Sequence, residues 1–226
     1  MNPIIALLPM KGHSERVPNK NMRTFCGFPL YHAIVQTLLN VPQIPFIVID
    51  TDSEIIKNDA LSNYGEKIKI INRPTELCGD FVSMNEIIAH DIQQFNEYAH
   101  FIQTHSTNPL LTSESIEKAC SFFIQQKNNY DTVFSVTRLQ TRLYWQNGNP
   151  INHNPNELLR TQDLPPVFEE NSNFYIFSHH SFFENNKQRI GKKTYMYEIN
   201  KLEAVDIDEE EDFIIAETLY KTLKKA

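Results

Sequence analysis

Two groups of residues, near opposite ends of the chain, have types and spacings that could do chemistry. The first is Lys11-Gly12-His13-Ser14-Glu15-Arg16-Val17-Pro18-Asn19-Lys20-Asn21, with Arg23 just beyond. Lys11, Arg16, Lys20 and Arg23 put four cations into one turn-rich stretch, and Gly12 allows a close backbone approach. A triphosphate suits such a loop, because its charge calls for several fixed donors and cations. The same cations would equally make a solvated surface. Neither G-x-G-x-x-G nor G-x-x-x-x-G-K-[ST] occurs here, so the loop is not a dinucleotide fingerprint or a P-loop. The second group is Asp206-Ile207-Asp208, after the apolar-acidic run 202–205. On a strand end, alternation sends both aspartates to one face and Ile207 to the other. Two hard carboxylates on one face suit Mg2+. Asp208 also suits a helix N-cap, with Glu211 three residues on, and spacing alone favours capping.

Three further stretches carry polar side chains in suggestive places. Arg73-Pro74-Thr75-Glu76-Leu77-Cys78-Gly79-Asp80 reads as a capped turn, with Asp80 starting the helix that bears Met84 and Arg73 able to pair with Glu76. His105-Ser106-Thr107-Asn108-Pro109-Leu110 reads as a loop leading to a helix cap at Thr112. A lone histidine there is more often structural than catalytic. Arg160 precedes Asn171-Ser172-Asn173-Phe174-Tyr175-Ile176, where a strand tyrosine is first a packing residue.

The elements that must position these residues alternate. Apolar runs at 4–8, 46–49, 68–71, 100–103, 132–136 and 174–177 predict strands. Helical stripes lie between them: Leu30, Ile34, Leu38; then Met84, Ile88, Ile92, Phe95; then Ile116, Ala119, Cys120, Phe123, Ile124. This order implies an α/β fold with a mostly parallel central sheet and helices on both faces. The first loop then lies at the carboxyl end of the first strand, the usual ligand edge of such sheets. Residues 138–170 break the alternation with Asn147-Gly148-Asn149-Pro150 and further prolines. They predict a protruding hairpin arm, too long for a plain connection. A closing helix is expected after Asp208-Glu209-Glu210-Glu211-Asp212, ending in Lys221, Lys224 and Lys225 as the helix dipole prefers.

At 226 residues the chain fits a single domain, 1–226. Its net charge of −7 disfavours nucleic acid as a partner. Any anion must be drawn by a local cluster. The three cysteines match no metal spacing, and Cys120 reads as a core residue. No run reaches the roughly 20 apolar residues of a membrane span, and no leader pattern opens the chain, so a cytoplasmic location is expected.

These motifs together resemble the cytidylyltransferases that activate acidic sugars, the CMP-acylneuraminate synthetases and their relatives. The family's first loop carries a basic residue, then Ser, then Pro-x-Lys-Asn, matched by Lys11, Ser14 and Pro18-Asn19-Lys20-Asn21. Its Arg-Pro-x-Glu-Leu-x-x-Asp is matched at 73–80, its Gln-Pro-Thr-Ser-Pro-Leu with changes at 105–110, its Pro-Asn-Gly-x-x-Tyr-Ile with changes up to Ile176, and its Asp-Ile-Asp at 206–208. The resemblance implies a Rossmann-like nucleotidyltransferase fold with a dimer-forming arm. It also implies CTP and a small acidic sugar as substrates. By it, Lys11, Ser14 and Lys20 would hold phosphates, Asn21 the ribose, and Arg73 with Ser83 the cytosine. His105, Arg160, Asn171 and Tyr175 would meet the acceptor. Asp206 and Asp208 would hold Mg2+, and these two with Lys11 and Lys20 would be catalytic. Four departures stand out. Lys11 replaces a common Arg, Met84 a common Ser, His105 the Gln, and Glu169-Glu170 stands where a base is common. An acid at that place would repel an acceptor carboxylate, and this, together with the changes at Lys11, Met84 and His105, sets two other readings beside the main one. One is an atypical acceptor, and the other is a non-catalytic nucleotide-binding relative.

Overall fold

The computed structural model describes residues 3–79 and 81–223. Its strands are β1 (Ile4–Leu7), β2 (Thr24–Phe25), β3 (Phe28–Pro29), β4 (Ile47–Thr51), β5 (Ile68–Asn72), β6 (His100–Thr104), β7 (Thr132–Leu139), β8 (Val167–Ser178) and β9 (Thr194–Glu198). Its helices are α1 (Tyr31–Leu39), α2 (Glu54–Tyr64), α3 (Met84–Gln93), α4 (Ser113–Gln126), α5 (His179–Glu184) and α6 (Glu210–Leu223). Seven strands form one sheet in the order β5-β4-β1-β6-β8-β7-β9. Six run the same way; β8 alone is antiparallel to its neighbours β6 and β7. The mostly parallel α/β sheet read from the alternation is thus present.

The alternation of side chains explains the layers. Ile4, Ala6 and Leu8 pack with α1, α2 and α4 on one face. Ile5 and Leu7 pack with α3 and α5 on the other. Cys120 is in the first of these cores, as its stripe predicted, and burial pushes its thiol up to about 12. A third, smaller core decides the site. Val17, Phe25 and Leu30 from the first loop and the β2–β3 hairpin meet Ile207, Phe213 and Ala216. Burying side chains such as Ile207 and Phe213 is worth roughly 2 kcal/mol each. That packing welds the amino-terminal loop to the start of α6.

Several elements differ from the expectation. α2 was not anticipated, because only Ile56 and Ala60 of its residues face the core. The 202–208 segment is turn and coil rather than a strand end. α3 begins at Met84 with Ser83 as its cap, whose Oγ accepts from the Asn85 amide at 3.3 Å. Asp80, the expected start, lies outside the described residues. Lys224 and Lys225, the expected basic end of α6, lie outside them too.

The arm leaves the carboxyl ends of the parallel strands. β7 and β8 continue as a ladder from Val136↔Glu170 to Leu139↔Val167. Beyond it, Tyr144 bridges Pro150 around a turn in which Gly148 takes φ 83°.

Candidate active site

The first loop and the two aspartates meet at one edge of the sheet. Lys20 Nζ donates to the Ile207 carbonyl at 2.5 Å and lies 3.8 Å from Asp208 Oδ1. Burial lowers the Lys20 pKa, while Asp208 and then Asp206 pull it back up. Ile207 is fully buried in the third core, so the aspartates turn the other way. The alternation argued for a strand end survives in coil, because the Ile207 amide donates to the Thr107 carbonyl at 3.0 Å. Asp206 is mostly buried. Burial raises its pKa, a bond from Thr107 opposes this, and its Oδ1 has no partner.

Asp208 does not cap α6. Asp212 Oδ2 instead accepts from the amides of Asp208 and Glu209, at 3.1 and 2.8 Å. This leaves the Asp208 carboxylate facing Lys20 and Arg16, the latter at 2.7 Å. Arg16 also reaches Glu209 at 3.2 Å, and Arg23 forks onto Glu210 at 2.5 and 2.6 Å. Two of the four cations assigned to a phosphate cluster therefore hold the acidic start of α6. Gly12 also differs from expectation. Its close approach is to α2, since an added Cβ would lie 2.8 Å from that of Ser53, and its amide donates to Asp52 at 2.6 Å. Lys11, Ser14, Lys20 and Asn21 line a cavity of about 340 Å³ that His105 also borders. The Asn21 amide clamps the loop, donating to the Lys11 carbonyl at 3.0 Å and accepting from Ser106 Oγ at 2.6 Å.

The remaining candidates divide. Arg73 does not pair with Glu76. Its Nε binds Asp50 Oδ1 and its Nη2 the Asp50 carbonyl, so Nη1 and the second N–H of Nη2 are left to meet a base. Asp50 is itself fully buried, opposite Asp91, whose carboxyl is pushed well above the usual range by burial and then by Asp50. Arg160 is not brought to this edge by its own chain; it pairs with Asp163 at 2.7 Å and stays exposed on the arm. Asn171 is spent on a bulge in β8. It donates to Thr137 Oγ1 at 2.9 Å and accepts from the Asn173 amide at 3.3 Å. His105 has a buried Nε2 without a partner; burial pushes its pKa down to about 4, helped by Arg189 and opposed by Asp208. The Tyr175 ring is fully buried, and its hydroxyl donates to Glu170 and accepts from Ser172 Oγ at 3.1 Å.

Three residues escaped the sequence reading: Gln103, Asp50 and Arg189. The first two are polar side chains at the ends of apolar strands, which is a readable signal of a site. Arg189 sits in a polar stretch that gives no such signal.

A family model described as cytidylyltransferase matches residues 5–225. This chain belongs to the cytidylyltransferase family. It is 30% identical over 222 residues to N-acylneuraminate cytidylyltransferase A of Danio rerio, covering 95% of this chain but 50% of that protein. The chain thus spans about half the length of that relative. Against the pseudaminic acid cytidylyltransferase of Campylobacter jejuni serotype O:2 it is 26% identical over 228 residues, covering 96% of each. Among solved structures, the synthetase for CMP:2-keto-3-deoxy-manno-octonic acid complexed with CTP superposes with a TM-score of 0.70 at 11% identity, covering 99% of this chain and 100% of that one. At that identity the likeness establishes the nucleotidyltransferase fold.

Proposed function

We propose that this protein transfers CMP from CTP to the hydroxyl of an acidic sugar of the sialic or pseudaminic type, releasing pyrophosphate. The observation that carries the proposal is Lys20, a partly buried cation 3.8 Å from Asp208 and facing Asp206, at the mouth of a cavity lined by Lys11 and Ser14. The acceptor oxygen would bond to the α-phosphorus as the bond to the pyrophosphate oxygen breaks, and the hydroxyl proton passes to water. Lys11 and Lys20 would offset charge on the departing pyrophosphate, and Ser14 would add a donor. Such transfer depends mainly on positioning and charge neutralisation. Asn21 would meet the ribose, and Arg73 Nη1 with the Ser83 region would meet cytosine.

The acid pair fits Mg2+. Asp206 offers a buried Oδ1 without a partner, and Asp208 is half-exposed beside it. A magnesium ion there would supply Lewis-acid charge to phosphate oxygens and to the attacking hydroxyl. Arg16 would have to yield part of its hold on Asp208, which an exposed ion pair does at little cost.

The same reading makes the molecule a cytoplasmic homodimer through its arm, producing CMP-sugars for surface glycans. Tyr144, Trp145 and Leu158 support the dimer, being exposed at 53%, 62% and 93%. Light scattering should give twice the monomer mass, and a monomer would remove that part. The activity itself is tested by pyrophosphate release across a matrix of nucleotides and acceptors with Mg2+. CTP with N-acetylneuraminate or pseudaminate should be preferred, and Asp208→Asn should lower kcat/KM by about 100-fold or more. Full turnover by that variant would end the reading.

A further inference from the structure

Arg189 stands between α5 and β9 and faces the carboxyl end of β6. Its guanidinium carbon lies over the Tyr175 ring, 3.8 Å from the centroid. Its Nη1 donates to Gln103 Oε1 at 2.6 Å. Gln103 and Tyr175 are themselves register partners on β6 and β8, and both are fully buried. The cation is thus held in place from two sides.

It is also short of an anion. Arg189 is largely removed from water, and that burial lowers its pKa. Among the described residues it forms no ion pair with a carboxylate. Glu170 acts on it only through its field, and that carboxylate already accepts from the Tyr175 hydroxyl. A desolvated cation with no bonded counter-ion is costly to keep. The Nε and Nη2 edge carries no protein acceptor among the described residues, and this edge matches a carboxylate in a bidentate pair. One unsatisfied polar atom lies within its field: His105 Nε2 is buried without a partner.

The location fits the reacting centre. Electrostatically, His105 is influenced by Arg189 and by Asp208. In a 2-keto sugar acid the carboxylate and the reacting hydroxyl share one carbon. The groups that grip them must therefore stand close together.

We infer that Arg189, fixed by Gln103 and Tyr175 and seconded by His105, binds the acceptor's carboxylate and so determines specificity for acidic sugars. This inference rests on the activity proposed above. It also answers the charge problem raised by Glu169-Glu170. Glu170 is held by the Tyr175 hydroxyl and does not bond Arg189, so the guanidinium edge that an entering carboxylate would meet is left to it.

The test compares Arg189→Gln and Arg189→Lys with the unaltered protein, on a sugar acid and on its methyl ester. Arg189→Gln should raise the KM for N-acetylneuraminate or pseudaminate at least 30-fold, roughly the loss of one charge-assisted pair. It should leave the KM for CTP within about threefold. Discrimination between acid and ester should collapse in Arg189→Gln and partly return in Arg189→Lys. An unchanged acceptor KM, or undiminished preference for the acid in a folded Arg189→Gln, overturns the inference. Should Arg189→Gln fail to fold, the Arg189→Lys comparison decides alone: a smaller acid preference supports the inference and an unchanged one overturns it. Calorimetry with the sugar acid in the presence of CTP separates the two claims. Acid binding lost in Arg189→Gln, from a protein that releases no pyrophosphate, would sink the catalytic reading and keep this site.

Discussion

Lys20 Nζ donates to the carbonyl of Ile207 across 187 residues of sequence, at 2.5 Å. That bond ties the phosphate-type loop to the segment bearing both candidate metal ligands. It uses one of the three ammonium donors and leaves the others pointing at the cleft. Lys20→Met should therefore act twice. Activity should fall by about 100-fold or more through lost charge stabilisation. Stability should fall by about 1 kcal/mol through the lost bond. Steady-state kinetics and thermal melts measure the two separately, and wild-type kcat/KM in the variant would refute the role.

The β2–β3 hairpin turns on Cys26 and Gly27, both with positive φ, at 52° and 96°. A two-residue turn of this kind favours Asn-Gly, since asparagine tolerates the left-handed region better than cysteine does. Cys26→Asn should stabilise the protein by about 0.5 kcal/mol, a rise of roughly 1–2 °C in Tm. A fall in Tm would mean that the contact from Cys26 Sγ to the Glu217 carbonyl outweighs the backbone strain.

His105 makes the fold sensitive to acid. Burial pushes its pKa from the ordinary 6.5 down to about 4. The unfolded chain therefore binds a proton that the native state refuses, so the stability present above pH 6.5 is lost as pH falls towards about 4. In His105→Gln this part of the pH dependence should flatten. Tm measured from pH 7 to pH 4 checks it, and identical slopes in both proteins would contradict it.

Asp50 and Asp91 face each other behind Arg73, yet they should respond oppositely to the same change. Asp50 bonds Arg73 through its side chain and its carbonyl, so Asp50→Asn leaves a buried guanidinium without its anion. That should cost about 3–5 kcal/mol. Asp91 is raised well above the carboxylate range, first by burial, so it is the proton-bearing partner. A raised acid contributes stability below its unfolded pKa and loses it as pH rises through the folded one. Asp91→Asn copies the protonated form and should keep or raise stability at neutral pH. Urea unfolding at pH 7 tests the pair, and equal losses from both substitutions would show that the proton is placed wrongly.

How much was legible depended on how local each feature is. The strands at 4–8, 100–103 and 132–136 were readable because burial on both faces leaves continuous apolar runs. α3 and α4 were readable because their buried residues repeat at helical spacing. β9 was not, because it is an edge strand with most of its side chains partly exposed. For the site, Lys20 and the two aspartates were found from their types and motifs. Their meeting was an expectation, which the core formed by Val17, Ile207 and Phe213 turned into a distance.

By itself the sequence determined the layered α/β plan, the cationic loop at the end of the first strand, and the chemical identity of the acid pair. Periodicity and side-chain chemistry act over a few residues, so they are written locally. Only the tertiary structure decided how the polar groups are shared out. It gave Arg16 and Arg23 to the start of α6, Asp212 rather than Asp208 to capping, Arg73 to Asp50, and Arg189 to the face of Tyr175. A charge's partner is set by which chain segments pack together and exclude water, and these segments are up to 193 residues apart.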